Sequence, residues 1–177
     1  MKKSIALLLA LLMVFTVAVM VTGCGSDTQQ AKPYMNSGDK LLQDYESKAS
    51  AWSAQINSLS ADPETIAGEV QQAKASGDDL LVTIQAAKSE FEKIMGMSGS
   101  GYYREYAELR IAELDILDQM IRRTHAFLDE RVAMVSSKDL SFYPALQQRF
   151  QDEINPLVDE GQELEQRAMK MKSDSGL

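Results

Sequence analysis

The residues that could do chemistry are few, and their scarcity decides much. The chain has one Cys, Cys24, and one His, His125, against 26 Asp and Glu. A single Cys forms no intramolecular disulfide and no cysteine-based zinc cluster, and a single His supplies no multi-histidine metal site. Di-iron sites in helical bundles need inward carboxylates with Glu-x-x-His on two helices. The residue three before His125 is Arg122, so that chemistry fails. Covalent haem needs C-x-x-C-H, which the sequence lacks. Non-covalent haem would pair His125 with one of the ten Met residues, but His125 falls at the edge of an apolar stripe, where a half-packed His is the ordinary reading. Met-x-x-Met copper clusters do not recur; Met95, Met97, Met120, Met134, Met169 and Met171 read as gap-filling core. No Ser/His/Asp or Cys/His arrangement can be assembled. The neighbouring acids Asp78-Asp79, Asp152-Glu153 and Asp159-Glu160 point about 100° apart on a helix, which makes them solvated charge rather than paired carboxylates for hydrolysis. The sequence therefore names no catalytic residue, no cofactor and no metal ligand.

Two further patterns are structural at first reading. Gly96 to Gly101 is a small-residue connection; no strand precedes it and no Lys-Ser/Thr closes it, so it is not a phosphate loop. Tyr102-Tyr103-x-x-Tyr106 follows it and reads as packing at one end of a bundle, with an aromatic contact surface as the sharper alternative. Three charges then stand where apolar residues are expected. Arg110, Glu113 and Arg131 all fall within the apolar arc of a helix, at roughly 40°, 340° and 340° from Tyr106. Charges so placed either snorkel to the edge or are paired. Arg110 and Glu113 are three apart and can pair within the helix. Arg131 lies about 27 Å along the axis from Glu113 and needs an acid from another helix. Glu113 is expected to be the most buried, because its short side chain snorkels least.

The elements that must position these residues are helical. No segment shows sustained apolar–polar alternation; spacings of three and four recur throughout. Leu41, Tyr45, Ala49, Trp52, Ile56 and Leu59 mark a helix over about 34–59. Asp62 then reads as an N-cap and Pro63 as a first helical residue. Ile66, Val70, Ala73, Gly77, Leu80, Ile84, Ala87, Phe91 and Ile94 keep one phase across Ser76-Gly77-Asp78-Asp79. This predicts one helix over 63–95 with Gly77 on its buried seam. The segment from 102 to 135 carries an apolar arc of roughly 160°, wide enough to touch two neighbours. Leu146, Phe150, Ile154, Leu157, Gly161, Leu164, Ala168 and Met171 mark a fourth helix over 142–171, kinked at Pro156, with Gly161 on a close seam. Four such helices with short connections predict an all-α, antiparallel four-helix bundle, up-down-up-down.

Composition agrees. The 177 residues are 45% hydrophobic, 25% charged and 7% aromatic, a globular profile with room for one domain. Net charge is −8, and no Lys/Arg-rich run follows the first three residues, so a nucleic-acid partner lacks its electrostatic footprint.

The N-terminus supplies the address. Lys2 and Lys3 precede an apolar run from Ile5 to Val21, broken only by Thr16, and small residues follow. Charge in front and small residues behind read as an export signal. Val21-Thr22-Gly23-Cys24 resembles the lipobox of bacterial lipoproteins, and the lone Cys falls where that motif needs it. The resemblance covers residues 1–24 alone. It implies cleavage after Gly23 and acylation of Cys24, with two or more chains because one anchors only marginally. Gly25 in place of Asp implies the outer membrane where the host has one, and otherwise the outer face of the cell membrane. The expected organisation is a signal peptide at 1–23, a lipidated flexible tether at 24–32, the bundle at 33–172 and a disordered tail at 173–177. Cleavage removes Lys2 and Lys3 and no acid, which takes the side-chain charge from −8 to −10. The expected function is a non-enzymatic interaction or scaffold module of the cell envelope, bound to the membrane through its acyl chains and to an envelope protein partner. The alternative is a small-molecule-binding bundle of the sensor or carrier type.

Overall fold

The computed structural model describes residues 2–99 and 101–176, with side chains from residue 29 onward. Among the described residues the fold is all-helical, with four helices and no strand: α1 (Lys2–Asn57), α2 (Ile66–Met95), α3 (Gly101–Ser137) and α4 (Tyr143–Ser175). The side chains of the signal segment, Gly23 and Cys24 lie outside the described residues.

The helix limits follow from local chemistry, and they correct several expectations. On α1 the bundle begins before residue 33, because Ala31 is fully buried. The buried seam of α1 runs through Ala31, Met35, Gly38 and Leu42, and Leu41 is only half-buried. Leu42 rather than Leu41 is thus the buried member, and the other expected residues, Tyr45, Ala49, Trp52, Ile56 and Leu59, continue the same seam at spacings of three and four. α2 starts at Ile66 rather than at Pro63. Residues 62–65 form a turn in which Asp62 Oδ1 accepts from the Glu64 amide at 3.0 Å and the Asp62 carbonyl accepts from the Ile66 amide at 3.0 Å. Glu69 Oε2 reaches back to the Ser60 amide at 2.7 Å and satisfies a donor ahead of the helix. α2 runs unbroken through Gly77, which is buried on its seam, as its unbroken phase implied. α4 continues to Ser175, beyond the expected limit. Gly176 closes it in the left-handed region, φ 65, with its amide on the Lys172 carbonyl.

Burial explains the packing. α2 hides nine residues at spacings of three and four, from Ile66 to Ile94, with Thr83 beside Ile84 as a tenth. α3 buries one set toward α2 and leaves Leu109, Leu117, Met120 and Phe127 half-buried toward α4, so its wide arc does serve two neighbours. α4 behaves differently. Of its eight stripe residues only Leu146 and Ala168 are buried. The reason is connectivity of contact: α1 packs on α2, α2 on α3 and α3 on α4, with a lesser contact between α1 and α3 and, among the described residues, no close approach of the α4 backbone to α1 or α2.

The core divides in two. One cluster gathers Ala31, Met35 and Leu42 of α1, Leu80 to Ile94 of α2, Tyr103 to Ile121 of α3 and Ala168 of α4. The other gathers Leu59 with Ile66, Val70 and Ala73 of α2 and Leu128 and Val135 of α3.

Candidate functional site

The charged residues singled out from sequence do not form one network. Arg110 and Glu113 pair, Nη1 to Oε2 at 2.6 Å, with side chains only 12% and 10% exposed. Glu113 is the most buried of the three. Arg131 meets no acid. Its Nη2 donates to the backbone carbonyls of Leu59 at 2.8 Å and Ser60 at 3.3 Å. These carbonyls lie just past the end of α1, where helix geometry leaves acceptors without partners and concentrates negative partial charge. The guanidinium satisfies both needs, so no second carboxylate is required.

Around Arg110 the fold assembles a buried polar cluster from three helices. The Tyr106 hydroxyl donates to Asp39 Oδ1 at 2.6 Å and accepts from Arg110 Nε at 2.9 Å. Lys172 Nζ donates to Asp39 Oδ2 at 2.5 Å and lies 5.9 Å from the Tyr106 ring centre. Lys172 and Asp39 are the only polar link that joins α4 to α1 among the described residues for which a contact is resolved. Two cations thus meet two carboxylates through one phenol, and the Tyr106 ring is fully buried against Phe91 at 6.1 Å between ring centres.

The electrostatics follow from burial. Desolvation pushes the Tyr106 hydroxyl well above its ordinary range, with Asp39 adding to the effect. Desolvation and the Glu113 carboxylate push Tyr45 up to about 12. Burial works against the Arg110 charge, yet Glu113 and Tyr106 hold it protonated above the ordinary guanidinium value. Glu113 itself is raised: its desolvation outweighs the pull of Arg110, and Glu165 and Glu46 push the same way. Asp39, Tyr106, Arg110, Glu113 and Lys172 each have a partner within the cluster, and the phenol stays neutral. The cluster ties α1, α3 and α4 together, the part of a structural lock.

A second polar feature lies at mid-height. The His125 ring packs against Gly77, so that a Cβ at Gly77 would sit 2.2 Å from His125 Nε2 and 3.1 Å from the Trp52 ring. Trp52 meets His125 edge-on at 6.1 Å and donates from Nε1 to the Ala73 carbonyl at 2.7 Å. His125 Nε2 is buried without a hydrogen-bond partner. Burial lowers its pKa and favours the neutral ring. Gly161, the other glycine expected on a tight seam, is not tight. It is half-buried, and a Cβ there would meet Ile116 at an ordinary 3.5 Å.

The clefts are shallow and lie between α3 and α4 or between α1 and α2. One of about 340 Å³ is lined by Tyr102, Leu109 and Met171 with Glu105, Arg167 and Lys170. Another of about 220 Å³ surrounds the stacked rings of Phe127 and Phe150, 4.4 Å apart. No group of three or more His, Cys, Asp or Glu among the described residues could hold a metal ion. No family model, no curated protein and no solved structure matches the chain.

Proposed function

We propose that the chain is exported, cleaved after Gly23 and acylated on Cys24, and that it works as a non-enzymatic interaction module on the outer face of a bacterial membrane. The lipobox-like Val21-Thr22-Gly23-Cys24 supports the anchor. No helix among the described residues is long and apolar enough to cross a membrane. The four helices run alternately up and down. Support comes from paired positions whose numbers rise on one helix as they fall on the next: Lys74–Asp129 and Lys88–Asp115 between α2 and α3, Arg123–Glu153 and Arg149–Glu130 between α3 and α4.

The observation that carries the interaction reading is the open flank of α4. A closed bundle would bury the stripe of its fourth helix; here Phe150, Ile154, Leu157 and Leu164 stay half-buried, and Phe142 is 65% exposed. Half-covered apolar side chains along a whole helix are the ordinary mark of a contact surface.

Two measurements test this. Metabolic labelling with an acyl-chain probe should mark the wild-type protein and not Cys24→Ala; undiminished label in the variant refutes the anchor. A photo-crosslinking amino acid at Val158 or Phe142 in cells should give a discrete protein adduct, and the same residue at Gln71 on the opposite face should not. Equal adducts from both faces, or none, refute the interaction module. A stoichiometric small molecule retained in native mass spectrometry, without an adduct, would assign the protein to the ligand-binding alternative.

A further inference from the structure

The end of the bundle next to the anchor differs from the rest in charge and in surface chemistry. The segments 29–39, 91–99, 101–112 and 165–176 meet there, joined by the Asp39–Lys172 ion pair, the Gly38–Phe91 contact and the Lys93–Tyr34 cation–π pair at 5.1 Å. These segments hold seven Lys and Arg against six Asp and Glu. Segments 40–90 and 113–164 hold nine against nineteen. The acidity of the protein therefore lies almost wholly in the part away from residue 29. The near end also presents Tyr102 and Met169, 63% and 58% exposed, with Lys170 and Arg104 beside them on the surface.

We propose that this end of the bundle docks on the lipid surface to which Cys24 is anchored, with Tyr102 at the headgroup level. The inference rests on the anchor reading above. Chain length makes it reachable. Ala31 is already in the core, seven positions after Cys24, about 10 Å away if helical and about 24 Å if fully extended. The lipid therefore holds this end within about one to three Debye lengths of the surface. Charge sets the orientation. An anionic leaflet repels the acidic body and does not repel the near-neutral end, so the body stands away along the bundle axis. α3 is 37 residues long, which places the far turn about 55 Å out, beyond the reach of the surface potential. Tyr is suited to the contact because its ring is apolar and its hydroxyl stays wet, and the long stems of Lys170 and Arg104 let their charges reach phosphates.

The test uses the mature lipoprotein in vesicles of three parts phosphatidylcholine to one part phosphatidylglycerol. Acylation occupies Cys24, so a fluorophore can be placed on Ser173→Cys at the near end or on Ser136→Cys at the far end, both exposed and neutral. Nitroxide carried on the lipid headgroup should quench most of the emission at position 173 and none at 136. Adding Tyr102→Ser with Lys170→Glu should abolish the quenching at 173 while the protein still floats with the vesicles. Protein that does not float overturns the anchor and the docking together. Protein that floats with neither position quenched leaves the anchor standing and overturns the docking. Quenching at 136 overturns the end-on orientation, and quenching at 173 that survives the double substitution overturns the role of Tyr102 and Lys170.

Discussion

Three helical glycines should respond to alanine with opposite signs, and the sign can be worked from the space around each. In a helix interior Ala is favoured over Gly by about 0.5–1 kcal/mol. At Gly161 the added carbon meets Ile116 at 3.5 Å, ordinary contact, so Gly161→Ala should be stabilised by about that amount. At Gly38 the carbon would meet three Phe91 ring atoms at 2.5, 2.8 and 2.8 Å. Phe91 is 0% exposed and edge-packed on Tyr106, itself 0% exposed, so the ring has nowhere to go without moving the polar cluster. Overpacking of this kind costs about 1–3 kcal/mol. Set against the helix gain, Gly38→Ala should lose about 1–2 kcal/mol net, or several degrees at the roughly 2–4 °C per kcal/mol of a domain this size. At Gly77 the carbon would meet His125 Nε2 at 2.2 Å and the Trp52 ring at 3.1 Å, and the His125 side chain is only 14% exposed, so Gly77→Ala should also lose stability. Thermal unfolding by circular dichroism ranks the three. A Gly38→Ala protein as stable as Gly161→Ala would refute the packing of α1 on α2 described here.

The Arg110–Glu113 pair should be costly to break and cheap to replace: Glu113→Leu leaves a buried cation without its acceptor and should lose about 3 kcal/mol or more, whereas adding Arg110→Met should recover most of it, as urea unfolding would register. Because burial raises Glu113, the folded state holds that proton longer than the unfolded chain, so its contribution to stability falls as pH rises through and above the ordinary carboxylate value, and Glu113→Gln should remove that component. Arg131→Met frees the Leu59 and Ser60 carbonyls and should cost about 1–2 kcal/mol, with local hydrogen exchange rising at residues 56–60. His125 titrates the other way. Desolvation lowers it, with Lys74 and Arg122 acting in the same sense and Asp78 and Asp129 against it. The unfolded imidazole takes its proton first, so stability should be complete above about pH 6.5 and fall as pH drops below it. His125→Gln should flatten that limb of a pH–stability curve, and an unchanged limb would place the ring outside the seam.

Periodicity made the helices legible because each buries one stripe. The phase of α2 passed unbroken through Gly77, and the fold keeps it as one helix with that glycine hidden. The stripe of α1 is ambiguous at one position, where two adjacent residues are both apolar. Leu41 and Leu42 are chemically alike, and only the upstream Ala31, Met35 and Gly38 select Leu42 as the buried one. Ala31 precedes the helix expected over 34–59, and Met35 and Gly38 fall in its first turns, where a lone Met and a Gly carry little periodic signal. Turn chemistry also misled. Asp62 and Pro63 are good N-terminal residues, but here Asp62 closes a turn on Glu64, and the helix begins one turn later.

The polar cluster was half legible, for a physical reason. Arg110 and Glu113 are three apart, so their pairing is a property of one helix and can be read from spacing. Tyr106, one turn before Arg110, could have been added on the same grounds. Asp39 and Lys172 are separated by 133 residues, and each is an ordinary surface charge in its own sequence context. Their meeting depends on how α4 lies across α3, which helical periodicity does not encode. The same limit applies to the flank of α4. Its eight stripe residues keep the spacing of a fully buried helix, yet a stripe specifies only that some partner covers it. Among the described residues α3 covers part of it, α1 reaches across with the Asp39–Lys172 ion pair, and the uncovered remainder is the surface that the interaction reading depends on.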